Sequence, residues 1–197
     1  EFPFHKSIYE KRPDVKAVIH AHPPALVSFS IVRKIPDTRI VSQARHVCGP
    51  IGYAAYRLPG SQALGDIIAD EFEKGFHAVI MENHGTVVGG YNLADCFLRF
   101  ETLEFCARTI LYAHMIGNPS YLTEEEITAF DQQLPELLPE MDTTEYSSSE
   151  RAVRTEICSI VQRACSQGLM TSSYGTISRR WEGNNFLITP TDVPRWD

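Results

Sequence analysis

An α/β fold is what this sequence predicts, on three observations. Short apolar, β-branched runs at 15–20 and 77–82 are bounded by turn residues, which marks buried strands. The stretch 62–74 carries apolar residues at helical spacing, and Asn92 opens a long helical stretch over 93–116. Strands and helices alternate along the first 133 residues, as they do where helices pack on a sheet.

In chain order, residues 3–12 read as a helix with Phe4 and Ile8 on its apolar face. Arg12-Pro13-Asp14 ends it, because the residue before proline avoids the α region. The strand 15–20 follows. Pro23-Pro24 suit the first turn of a helix over 24–33. Residues 38–42 read as a short strand and 46–60 as turn-rich, with Gly49-Pro50, Gly52 and Pro59-Gly60. Ser61 caps the helix 62–74, whose Leu64, Ile67, Ile68 and Phe72 share one face, and Gly75 stops it. Strands at 77–82 and 86–88 flank Asn83-His84-Gly85. The helix 93–116 closes at Gly117-Asn118-Pro119. Thr123 with Glu126 is a capping-box pattern opening a helix over 124–133.

Residues 134–149 change character. Pro135, Pro139 and Ser147-Ser148-Ser149 make them a linker. Beyond it, 150–167 reads as a helix with Val153, Ile157, Ile160, Val161 and Ala164 on one face, ended by Gly168. Strands are expected at 170–173, 175–180 and 185–189, the last two joined by a hairpin turn at 182–185.

The 197 residues suffice for a sizeable core. A net charge of -7 argues against nucleic-acid partners and against an electrostatic membrane-surface module. No apolar run reaches the length that spans a bilayer, and Glu1-Phe2-Pro3-Phe4-His5 does not resemble a signal peptide. The five cysteines, Cys48, Cys96, Cys106, Cys158 and Cys165, match no C-x-x-C spacing. They read as reduced, mostly buried thiols of a cytoplasmic protein.

The chemistry centres on Val18-Ile19-His20-Ala21-His22-Pro23. Side chains alternate along a strand, so His20 and His22 point to one side and can grip one metal ion. An H-x-H pair alone is weak evidence for a metal. His84, after a second apolar run (78–81), is the candidate third ligand. Three imidazoles, or two with a carboxylate, are the usual protein share of a catalytic zinc site. His5 reads either as a partner of the site or as a surface histidine. His46, His77 and His114 lack metal-type context, and Tyr56 reads as a packed aromatic rather than a site residue.

These residues, with Tyr9, Arg12-Pro13-Asp14, Pro59-Gly60-Ser61 and Asn83-His84-Gly85, resemble the class II aldolase/adducin family over 1 to about 116 in order. L-fuculose-phosphate aldolase and L-ribulose-phosphate 4-epimerase are members of it. The resemblance implies a three-layer α/β/α fold, with a central, mainly antiparallel mixed sheet covered by helices. It implies Zn2+, or another divalent metal, on the positions matching His20, His22 and His84. It also implies a carboxylate, matching Glu1, that ligates the metal at rest and acts as acid/base during reaction. A small carbonyl substrate and a homo-oligomer, a tetramer in most members, with the active site at a subunit interface, come with it.

Residues 150–197 resemble the same family's opening. The matching pieces are Gly168-Leu169, Gly175-Thr176-Ile177-Ser178-Arg179-Arg180 and Ile188-Thr189-Pro190-Thr191-Asp192. The chain thus reads as the C-terminal two-thirds of one such domain (1–133), a linker (134–149) and the N-terminal portion of another (150–197). A tandem fragment explains that order better than a permutation. On either explanation, 175–189 could share a sheet with 15–20 or 77–88, within the chain or from a neighbour. The family grips phosphate with backbone N–H groups, an asparagine and hydroxyls, which here places Thr176, Ser178, Thr189 and Thr191 as candidates. The asparagine is Thr176 here and a glycine is Asp192, whose carboxylate repels a phosphate. Arg179 and Arg180 either compensate or face solvent.

The expected activity is that of a metal-dependent lyase, cleaving a small hydroxylated carbonyl compound, with a sugar phosphate as one candidate, through an enediolate. An epimerase, isomerase or dehydratase on the same scaffold, or a non-catalytic adducin-like module, are the alternatives. The intact His20, His22 and His84 speak against the last.

Overall fold

The structure, a computed structural model, describes residues 1–133, 145–172 and 174–190. The chain divides into two compact units, Glu1–Leu134 and Pro135–Asp197. In the first, the elements run α1 (Phe2–Lys11), β1 (Ala17–Ala21), α2 (Pro24–Ile31), α3 (Ser42–Cys48), β2 (Gly52–Ala54), α4 (Gln62–Glu73), β3 (Ala78–Met81), β4 (Thr86–Gly90), α5 (Leu93–Ile116) and α6 (Glu124–Gln132).

The four strands form one sheet in the order β1-β4-β3-β2. β1 and β3 both pair antiparallel with β4, with His20 opposite Val87, while β2 runs parallel to β3. The sheet is therefore mixed and mainly antiparallel. Strand alternation sorts its side chains onto two faces. Ala17, Ala78, Ile80 and Val88 pack with Leu26 and Phe29 of α2, Cys48 of α3, and Leu103, Ala107 and Ile110 of α5. Val79, Met81 and Val87 pack with Phe4 and Ile8 of α1 and Leu64, Ile68 and Phe72 of α4. Each of the larger of these side chains (Val, Leu, Ile, Phe, Met) taken out of water stabilises the fold by about 1.5–3 kcal/mol. Helices on both faces make three layers, as the sequence resemblance implies.

The helix starts follow local chemistry. Ser61 Oγ accepts from the Leu64 N–H and Asn92 Oδ1 from the Asp95 N–H, and Thr123 and Glu126 close a capping box. Residues 38–42 are not a strand. Asp37 Oδ1 accepts from the Arg39 N–H at 2.9 Å and opens a 3-10 turn, Thr38–Ile40, which runs on into α3. The Asp cap outweighs the β-branched run that follows it. Within the turn-rich 46–60 lies β2, three residues including a glycine and thus too short to read from alternation.

In the second unit, α7 (Ser148–Ser166) packs Val153, Ile157 and Val161 against Ile177, Trp181 and Leu187 from the hairpin β5 (Ser178–Arg180) and β6 (Phe186–Ile188). α7 begins two residues earlier than its sequence pattern indicates, because Ser147 Oγ accepts from the Glu150 N–H. Residues 170–172 are not strand; Thr171 Oγ1 instead accepts the Tyr174 N–H in a turn. Most of the expected linker, 134–144, lies outside the described residues. Among the described residues β5 and β6 pair only with each other, closed by the Asn185 N–H to Glu182 carbonyl turn.

None of the five cysteines is in a disulfide; Cys48, Cys96 and Cys106 are buried and Cys158 is exposed. Among the described residues, no helix is long and apolar enough to cross a membrane.

Candidate metal centre

His20 sits near the end of β1, on the face that carries Phe4, whose ring meets the imidazole edge-on at 5.2 Å. Its side chain is only 4% exposed. His22 follows one residue past the strand, just before Pro23-Pro24 start α2. His84 lies in the turn between β3 and β4. The His84 N–H donates to the Met81 carbonyl at 3.1 Å and the Met81 N–H to the Gly85 carbonyl at 2.9 Å. Asn83 takes the positive φ (54°) that this turn needs, a conformation asparagine tolerates. Gly85 has no room for a side chain: a Cβ would stand 2.5 Å from His22 Cδ2 and 2.6 Å from the Ala21 carbonyl oxygen. The glycine lets the His22 ring lie against the turn that carries His84.

The three imidazoles converge. Ring centroids are 4.7 Å apart for His20–His22, 5.1 Å for His20–His84 and 5.0 Å for His22–His84. Glu1, exposed at the start of α1, joins them. One donor atom from each of Glu1, His20, His22 and His84 lies within 4.8 Å of every other. Three imidazoles and a carboxylate are a donor set that would hold a divalent cation.

The chemistry of the donor set fits a cation. His20 Nδ1 lies 2.9 Å from the Thr86 carbonyl, which can only accept, so Nδ1 carries the proton. Burial, the largest cause, holds the His20 imidazole below its ordinary pKa, with the neighbouring His22 adding to it. A neutral ring with its proton on Nδ1 has a lone pair on Nε2. That Nε2 is buried without a hydrogen-bond partner, and Glu1 Oε1 is 3.6 Å away. Two acceptors facing each other are stabilised by a cation between them. His84 is likewise held low, by burial first and then by His20 and His22. Neutral imidazoles are the form that binds metal, and the Nδ1–H to carbonyl bond of His20 is the kind of support that fixes a ligand's orientation.

Residues 1–111 match the Class II Aldolase and Adducin N-terminal domain, more than half of the 197-residue chain, and all four clustered residues fall inside the match. The chain belongs to this family. It is 33% identical over 129 residues to the 5-deoxy-D-ribulose 1-phosphate aldolase of Bacillus thuringiensis serovar kurstaki, a match over 64% of this chain and 59% of the relative. To the 3-oxo-tetronate 4-phosphate decarboxylase of Pectobacterium atrosepticum it is 32% identical over 134 residues, again 64% of this chain and 59% of the relative. The solved structure of YgbL from Klebsiella pneumoniae superposes with a TM-score of 0.58 at 28% identity, over 65% of this chain and 63% of that one. The chain thus spans about three-fifths of the length of the curated relatives it matches. Its three-layer arrangement is that of the class II aldolases.

The other residues singled out in the sequence divide as follows. His5 is half-buried and stacks on Phe4 at 4.7 Å; burial and then His20 hold its pKa low. His46 is solvent-facing and bonds Asp131. Tyr56 is not packed: it is 52% exposed, and its backbone N–H donates to Glu82 Oε2. Thr176, Ser178 and Thr189 belong to the second unit, where Thr189 Oγ1 accepts the Ile177 N–H. Thr191 and Asp192 lie outside the described residues. Arg179 pairs with Glu156, and Arg180 donates to the Gly183 carbonyl. Two supports escaped the sequence reading. One is the Thr86 backbone carbonyl, for which no side-chain signal exists. The other is Glu104 on α5, an acidic residue among the apolar positions Leu103, Cys106 and Ala107, which is the signal that could have found it.

Proposed function

We propose that the first unit carries the metal centre of a divalent-metal lyase, zinc being the expected ion, that breaks a carbon–carbon bond next to a carbonyl in a small hydroxylated compound. The observation that supports this most is the meeting of His20, His22, His84 and Glu1, with the buried His20 Nε2 3.6 Å from the Glu1 carboxylate. The three imidazoles would hold the ion, and Glu1 would complete the resting set. When bound, the ion supplies Lewis-acid stabilisation of the negative charge that develops on the carbonyl oxygen. His20 keeps its position through the Thr86 carbonyl and offers only Nε2. Glu1, which is exposed, would take a proton from the substrate and return it. In aldol cleavage the hydroxyl beside the breaking bond loses its proton and becomes an aldehyde. The electron pair stays on the carbon next to the carbonyl, which is then protonated.

The named activities of the relatives support this reading. Aldol cleavage and decarboxylation leave the electron pair in the same place, so the decarboxylase name of the Pectobacterium relative supports a second reading on the same centre. There the bond to a carboxylate breaks and carbon dioxide leaves. The substrates named for both relatives are phosphate esters, which supports a sugar phosphate as the substrate class. The reading includes a homo-oligomer: Tyr112, Met115 and Ile116 at the end of α5 are all more than 60% exposed and offer an apolar contact.

The test is proton exchange. The zinc-loaded chain is incubated in D2O with dihydroxyacetone phosphate, and separately with dihydroxyacetone, and deuterium at the carbon beside the carbonyl is followed by NMR. Exchange that stops with a chelator and returns with zinc is expected. No exchange with zinc present would overturn the aldol-cleavage reading.

A further inference from the structure

α2 has an unusual start, and Glu104 answers it. Its N-cap is Pro23 and its first residue Pro24, so the cap position has no side-chain acceptor and neither residue has an N–H. The Val27 N–H already donates to the Pro23 carbonyl at 2.9 Å. The orphan donors of this helix end are therefore the N–H groups of Ala25 and Leu26, residues 5% and 0% exposed. Glu104, from the middle of α5, takes both. Oε1 accepts from Ala25 at 3.3 Å and Oε2 from Leu26 at 3.1 Å, and the side chain is 12% exposed. Arg108, one turn along α5, donates to Oε1 at 3.2 Å. A carboxylate at a helix N-terminus also gains from the partial positive charge there.

We infer that Glu104 is a positioning residue for the metal centre: it clamps the start of α2 and thereby fixes the short segment that carries His22. The path is brief. His20 is held by β1 pairing with β4 and by the Thr86 carbonyl. His22 is outside the strand, and two prolines separate it from Ala25. With Ala21 pinned in the sheet and Ala25–Leu26 pinned to α5, the three residues between have little freedom. α5 is itself anchored by the buried Leu103, Cys106 and Ala107. Glutamine cannot replace the clamp, since its NH2 would face one of the two N–H groups. Aspartate is one methylene short.

This rests on the metal-site reading, and the test separates the two. Zinc affinity of the full chain is measured by chelator competition, alongside the visible spectrum of the cobalt-loaded protein and hydrogen exchange at the Ala25 and Leu26 amides. Glu104→Gln should weaken zinc binding by about 10–100-fold, the range for groups supporting a ligand. It should also alter the cobalt spectrum and expose both amides to exchange. Thr123→Ala, which removes the cap of α6, a helix that packs on α3, is the stability control and should leave zinc affinity and spectrum unchanged. If Glu104→Gln does not fold, Glu104→Asp serves, with a smaller loss in the same direction. Wild-type affinity and spectrum in the Glu104 variants overturn the clamp and leave the metal centre standing. Equal losses in Thr123→Ala also overturn it. A wild-type chain that binds neither zinc nor cobalt overturns the metal centre and the clamp together.

Discussion

His20 shows how one residue can have its chemistry set by its surroundings. The Thr86 carbonyl fixes its tautomer, burial keeps it neutral, and Phe4 walls one side. His20→Ala should therefore abolish zinc binding while far-UV circular dichroism stays close to wild type; retained zinc would show that the donor set is wrong. Gly85→Ala is a sharper probe, because its Cβ would meet both the His22 ring and a backbone oxygen. Overpacking of this kind costs about 1–3 kcal/mol. Loss of stability in urea together with zinc loss is expected, whereas unaltered zinc binding would mean that His22 need not lie where it does. The histidines also set a pH dependence. Burial is the first cause holding His5, His20, His77 and His84 below their ordinary value. The unfolded chain takes up these protons from about pH 6.5 downward while the folded chain resists. Stability of the metal-free protein is thus full above that pH and falls as pH drops below it. Asp14, held at about 2 by Arg12, stays charged across this window and does not contribute. The urea midpoint should be lower at pH 5.5 than at 7.5; an equal or higher midpoint at 5.5 would contradict the account.

At the scale of elements, what was legible in the sequence is what local chemistry decides. Asn92 and Gly117 bracket a helix of the predicted extent, and Ser61 and Thr123 cap theirs. The strands at 77–82 and 86–88 are there, joined by the Asn83-His84-Gly85 turn. The three histidines were legible because each follows a β-branched run whose placement periodicity reveals. What was not legible depends on partners distant in sequence. β2 is a strand only because β3 lies beside it. Residues 38–42 carry a strand-like run that the Asp37 cap overrides. Glu104 looks like any acidic residue on a helix until α2 is seen to begin at two prolines. The caps themselves can be weighed: Ser61→Ala should cost about 1 kcal/mol in chemical denaturation, and no measurable cost would mean that α4 is held by its core face alone.

The whole molecule has a first unit, whose sheet and helices are those of the class II aldolases, and a second unit with one helix and a hairpin among its described residues. In both units the apolar faces of the helices close small cores. The net charge of -7 is spread over surface pairs such as Lys11 with Asp70 and Glu73. The exposed apolar end of α5 belongs to this scale too. Light scattering on a sizing column should give at least twice the chain mass, falling toward one chain when Met115 and Ile116 are both changed to aspartate. A monomer at micromolar concentration would remove the oligomer from the account. The most direct measurement is the metal content of the purified, full chain after dialysis against trace zinc, read by inductively coupled plasma mass spectrometry. The account predicts close to one zinc per chain, lost in His22→Ala and His84→Ala. A wild-type chain that retains no zinc or other divalent metal, and takes none up when it is supplied, would contradict it.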